Sequence, residues 1–144
     1  MSILRGLKIC FVAGTLGMGG AEQQLYYQVR TLLECGASPS VICFSSGEYW
    51  QSRLESLGVP VICVKAGRSR LQRLLAIVSV LSATRPAVMQ AVHFYVGLYV
   101  VVAARLLGIR NIAAIRSDGT RDIAEIGPWA GRLGIWLPQK ILVN

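Results

Sequence analysis

The chain has 144 residues, 53% of them hydrophobic, and 15 Lys and Arg against 7 Asp and Glu give a formal net charge of +8. That length bounds one domain with a core of ordinary size, and a mean hydropathy of +0.52 suits a sheet buried on both faces. The positive charge points to an anionic partner such as a phosphorylated ligand or an acidic lipid surface, whereas nucleic acid is disfavoured because aromatic residues are not interleaved with the basic ones.

The first residues, Met1 to Lys8, carry no small-residue cleavage site after an apolar run and are not a signal peptide. Leu7 to Ala13 reads as a buried strand that feeds a loop containing Gly14, Gly17, Gly19 and Gly20, which opens into a helix over about 21–35. Leu25, Val29, Leu32 and Leu33 give that helix its apolar stripe, and Gly36 ends it. A strand, a glycine loop and a helix N-terminus in this order form the first βα unit of a doubly wound domain. The glycines read G-x-x-G-x-G-G, and no G-x-G-x-x-G passes through them, so the dinucleotide fingerprint is missing.

Ser40 to Phe44 reads as the second strand, Tyr49 to Leu57 as a short helix closed by Gly58, and Val59 to Val64 as the third strand. Ser69 is placed as the N-cap of a helix running to about Ala83, which Arg85-Pro86 ends. Ala87 to Val92 is the fourth strand, Tyr95 to Leu107 a buried helix and Asn111 to Arg116 the fifth strand. A helical stretch over about 122–137 is cut by Pro128, and Lys140 to Val143 is the sixth strand. The run Ala91 to Leu107 contains His93 and Arg105 and falls short of the roughly 18–20 apolar residues of a membrane span. Repeated alternation with short connections predicts a Rossmann-like, three-layer α/β/α domain with a mostly parallel sheet.

Four cysteines at 10, 35, 43 and 63 contain no C-x-x-C pair, and with a single histidine they do not suggest a metal site. They read as reduced, core-filling thiols of a cytosolic protein. His93 lies at the carboxyl end of the fourth strand, the edge at which ligands bind in such sheets. Gly17, Gly19 and Gly20 are expected to supply positive φ and close ligand approach. Glu22 reads either as a ligand contact or as a first-turn carboxylate matched to the helix dipole. Arg116 and Asp118 close the fifth strand at the same edge, as a phosphate and hydroxyl contact or as a structural pair. Arg68, Arg70 and Arg73 head a helix whose other side carries Leu71, Leu74, Leu75, Ile77, Val78 and Leu81. That pattern fits an anionic membrane surface or a solvated face over a core stripe.

Taken together, Leu7–Val12, the Gly17-Met-Gly-Gly-Ala-Glu22 loop, Gln23-Gln24-Leu25, Gly36, Leu57-Gly-Val-Pro-Val61, Val92-His93 and Leu142-Val143-Asn144 resemble the N-terminal domain of a family 4 glycosyltransferase of the GT-B fold. The resemblance implies a retaining transferase that moves a sugar from a nucleotide sugar to a cell-surface glycan or lipid-linked acceptor. It makes this the acceptor-side domain, with His93 as the catalytic position and the glycine loop, Glu22, Arg116 and Asp118 as substrate contacts. The donor would be bound mainly by a C-terminal domain, which lies outside residues 1–144. No cofactor or metal is implied, because helix dipoles and cationic side chains offset the leaving diphosphate. Glu48 and Glu55 flank six residues, one fewer than the family's paired donor glutamates, and belong to this first domain. The chain alone is therefore expected to be inactive, at the cytoplasmic face of a membrane. The alternative is a non-catalytic membrane-docking or acceptor-binding subunit that partners a separate catalytic chain.

Overall fold

The computed structural model describes residues 3–65, 69–115, 127, 129, 132–133 and 136–143, with backbone alone for 115 and 141–143. Six strands, β1 (Lys8–Ala13), β2 (Ser38–Cys43), β3 (Val61–Cys63), β4 (Val88–Ala91), β5 (Arg110–Ile115) and β6 (Lys140–Val143), form one sheet. Their order is β3-β2-β1-β4-β5-β6, and every pair is parallel. Among the described residues, α1 (Gly20–Glu34), α2 (Tyr49–Ser56), α3 (Arg70–Thr84) and α4 (Gly97–Leu107) lie between the strands from β1 to β5.

The pleat of β1 divides the core in two. Ile9, Phe11 and Ala13 face Leu25 and Val29 of α1 and Leu54 of α2, whereas Cys10 and Val12 face Ile77 and Leu81 of α3 and Val100, Ala103 and Ala104 of α4. Burial of each large apolar side chain contributes about 1.5–3 kcal/mol, so both sheet faces must be covered for the fold to close. The Rossmann-like α/β/α arrangement is as expected. All four cysteines are free thiols, with Cys10 and Cys43 buried in these two cores. Burial pushes the Cys10 thiol up to about 11.

The element boundaries differ at three places, each for a local reason. β2 begins at Ser38 and includes Pro39, although it lies between two other strands. Ser38 N–H donates to Leu7, just before β1, and Val41 N–H to Pro60, so the nitrogen of Pro39 points toward the β3 side. The ladder with β3 starts only at Val41, so no bond is lost there. β3 is correspondingly short, Val61–Cys63. The helix expected from Tyr95 starts instead as a 3-10 turn, Phe94–Val96, before α4. Ser69 does cap α3: its Oγ accepts from Gln72 N–H while Gln72 Oε1 accepts from Ser69 N–H, and Arg85 closes the helix in the left-handed region at φ 46°.

Because β2 follows β1 on one side and β4 sits on its other side, the strand order reverses between β1 and β4. In an open parallel sheet the crevice that binds ligands lies at the carboxyl edge of such a reversal. No helix of the described residues is long and apolar enough to cross a membrane.

Candidate functional site

The β1–α1 loop and the turn after β4 meet across that crevice through one histidine. Gly14 N–H donates to His93 Nδ1 at 3.2 Å, and His93 Nε2 lies 3.1 Å from Glu22 Oε1. Since Nδ1 accepts, the ring proton is on Nε2 and is donated to the carboxylate. The backbone thus selects the tautomer, as in orienting pairs around reactive histidines. A second proton on the ring would break the bond from Gly14. Glu22 is 6% exposed, and its Oε1 also accepts from Thr15 Oγ1 at 2.8 Å. Both ring nitrogens of His93 are engaged inside the protein, one with the loop and one with the carboxylate.

A second carboxylate braces the loop from the other side. Glu48, which immediately precedes α2, accepts from Ser45 Oγ at 2.7 Å and from Leu16 N–H through the same Oε2. Two N–H groups of the loop are therefore committed, and a protein carboxylate already sits at the positive end of α1. That arrangement suits neutral hydroxyls better than a diphosphate, because an added anion would meet two carboxylates in a region partly screened from water.

The loop glycines do not work as expected. None of Gly14, Gly17, Gly19 and Gly20 adopts positive φ. They supply room instead. A Cβ on Gly14 would overlap the Tyr95 phenol, and one on Gly19 would overlap Glu22 Oε2. Gly20 has open space beside it, and the nearest atom to a Cβ on Gly17 would be Glu48 Oε1 at 4.0 Å. Open space at these two positions is where a ligand could approach the backbone.

Tyr95 completes the wall. Its ring stacks on His93 with centroids 5.3 Å apart and planes 22° from parallel. Burial raises its phenol pKa first, the carboxylates of Glu22 and Glu48 add to that, and the Thr15 hydroxyl and Arg73 oppose it. Arg73, expected either on a surface facing a membrane or on a solvated face, is turned inward. Its guanidinium carbon lies 4.6 Å from the centroid of Phe44 and 6.0 Å from that of Tyr99. Arg70 is exposed. Arg68, Arg116 and Asp118 lie outside the described residues.

Structure thus brings together His93, Glu22 and the glycine loop, and adds Glu48, Tyr95 and Arg73, which the sequence alone did not place there. An acid just ahead of the second helix, at the carboxyl edge of the second strand, was the available signal for Glu48. No group of three or more His, Cys, Asp or Glu side chains arranged to hold a metal occurs among the described residues.

Comparison with known proteins bears on the family and the fold. The family described as glycosyl transferase 4-like domain matches residues 19–144. Among solved structures, the chain is similar to Acinetobacter baumannii MurG (TM-score 0.72, 14% identity, 96% of this chain and 41% of that one). It is also similar to Anabaena Alr3699/HepE in complex with UDP-glucose (TM-score 0.75, 14% identity, 94% of this chain and 36% of that one). The UDP-GlcNAc 2-epimerase from Methanocaldococcus jannaschii shares the fold as well (TM-score 0.68, 15% identity, 96% of this chain and 39% of that one). At such identities the likeness concerns the fold alone. The chain spans about two fifths of the length of these structures. No curated protein sequence matches it.

Proposed function

The chain belongs to the glycosyl transferase 4-like family and has the fold of a GT-B N-terminal domain, and from that premise we propose that it is the acceptor-side domain of a retaining, nucleotide-sugar-dependent glycosyltransferase. The acceptor is a cell-surface glycan or a lipid-linked sugar at the cytoplasmic face of a membrane. A nucleotide-sugar-binding domain, in a longer chain or in a partner, supplies the other wall of the site, so residues 1–144 alone do not turn over. The observation that carries the reading is the Gly14–His93–Glu22 constellation at the point where strand order reverses.

Within it, His93 fixes the loop and the carboxylate, and Glu22 and Glu48 present acceptor oxygens toward the open space at Gly17 and Gly20. Carboxylates held this way bind sugar hydroxyls as charge-assisted hydrogen-bond acceptors and orient one of them for transfer. The leaving diphosphate is left to the second domain, and no metal is called for. Incubated with UDP-glucose and an alkyl glucoside, the chain alone is expected to give no transfer. Saturation-transfer NMR should nevertheless detect the glucoside, and Glu48→Gln should weaken it by about tenfold, the scale of a charge-assisted bond. Turnover by the chain alone, or UDP-glucose bound while glucosides are ignored, would contradict the assignment.

Membrane docking is part of the same reading. Leu71 and Leu75 of α3 are 65% and 58% exposed beside the basic start of that helix. Trp129, Leu133 and Trp136 are helical residues at i, i+4, i+7 spacing and are likewise exposed. Exposed leucines and tryptophans on a chain of net charge +8 suit an anionic bilayer interface. The chain should float with phosphatidylglycerol vesicles and much less with phosphatidylcholine ones. Serine at both Leu71 and Leu75 should reduce flotation by roughly tenfold or more, from about 1 kcal/mol of lost burial per residue. Equal flotation with both lipids would remove membrane docking from the proposal.

A further inference from the structure

Arg73 carries a cation for which the described residues provide no counter-ion. It sits in the first turn of α3, directly after the carboxyl end of β3. The rings beneath it come from neighbouring carboxyl ends: Phe44 follows β2, and Tyr99 lies in the first turn of α4. The guanidinium is therefore fixed on an aromatic platform at the same edge of the sheet as Gly14, His93 and Glu22. Its Nε is buried and has no hydrogen-bond partner among the described residues. The two nearby carboxylates do not pair with it, since Glu22 is held by His93 and Thr15, and Glu48 by Ser45 and Leu16.

A desolvated guanidinium N–H without an acceptor is unfavourable, and ring contacts recover only part of the loss. The protein seals that Nε, but the side chain as a whole is only partly buried, so the outer N–H groups of its planar fork are left to take a ligand oxyanion. We propose that Arg73 is an anion subsite of the cleft and receives a phosphate ester carried by the acceptor. This rests on the acceptor-side reading above and names a chemical class for that acceptor. Phosphate is favoured over carboxylate because a more highly charged oxyanion gains more from a guanidinium in a chain of this net charge. The neutral-hydroxyl subsite of Glu22 and Glu48 and the phosphate subsite of Arg73 then hold two ends of one sugar phosphate.

The test follows the Arg73 Nε–Hε resonance of the labelled 144-residue chain. Probes are glucose 1-phosphate, dodecyl phosphate in phosphatidylcholine vesicles, UDP-glucose, acetate and methyl glucoside. Glucose 1-phosphate or dodecyl phosphate should move the resonance downfield, and the tighter of the two identifies a soluble or a lipid-linked source. Arg73→Met should weaken the phosphate probes at least tenfold and Arg73→Lys less. A resonance that ignores the phosphate probes, or equal affinity in a folded Arg73→Met chain, overturns the subsite. Acetate acting as strongly as phosphate overturns the phosphate class, and a response to UDP-glucose alone overturns the acceptor assignment. If methyl glucoside leaves the Gly14–Glu22 loop unperturbed while Arg73 still answers to glucose 1-phosphate, the hydroxyl subsite fails and the phosphate subsite stands.

Discussion

Replacing Glu22 with alanine is expected to cost about 2–4 kcal/mol of stability and to remove acceptor binding. The carboxylate is nearly fully buried, and one of its oxygens receives both the His93 ring proton and the Thr15 hydroxyl. Its loss leaves two donors without an acceptor in a region largely closed to water, each costing about 1–3 kcal/mol. It also removes the negative charge at the N-terminus of α1, worth a few tenths of a kcal/mol or more. A chain of this size should melt lower by roughly 6–15 °C, which calorimetry or circular dichroism can measure. Glu22→Gln keeps an amide oxygen facing Nε2 and should lose about half as much. Nitrogen-15 shifts of the ring provide an independent readout: in the unmodified chain Nδ1 should appear as the unprotonated nitrogen, held by the Gly14 N–H, and in Glu22→Ala the Nε2–H signal should shift as it loses its acceptor. An alanine variant that is as stable as the original and leaves the Nε2–H signal unmoved would mean that the Glu22–His93 contact is incidental.

The second large effect is expected at Gly14. Alanine there places a methyl group inside the space of the Tyr95 phenol, so the ring must leave. With it goes the stack on His93. Overpacking of this kind costs about 1–3 kcal/mol, and the displaced ring would enter the open part of the crevice. Tyr95→Ala removes the obstacle. In that background the Gly14→Ala change should cost less than half of what it costs alone, a non-additivity that a double-mutant cycle resolves. Additive effects would place the origin of the destabilisation in the backbone of the loop. Glucoside binding should fall in the single variant and recover partly in the double one.

The same two residues mark how far the sequence could be read. Alternating strand and helix patterns, the capping serine at 69 and the proline after Arg85 act over a few neighbouring residues. Hydrogen bonding and apolar periodicity within such windows decide them, and they were legible. So was the carboxyl-edge position of His93, which follows from strand order in any parallel sheet. Pro39 inside β2 was not legible, because its acceptability depends on how far β3 extends beside it.

Local sequence patterns therefore specify the layered α/β fold, the family likeness and the edge on which a ligand would bind. Tertiary structure decided what that edge contains. His93 and Gly14 are 79 residues apart, His93 and Glu22 are 71 apart, and Leu16 and Glu48 are 32 apart. No local pattern can report such pairings, since they arise only when the sheet brings the ends of β1, β2 and β4 together. Closure of the core also turned Arg73 onto the aromatic rings. Its spacing on an amphipathic helix had been equally compatible with an outward-facing cation. The glycine loop changed meaning for the same reason. Its glycines make room for the Tyr95 ring and the Glu22 carboxylate, and that need exists only once distant segments have packed against it.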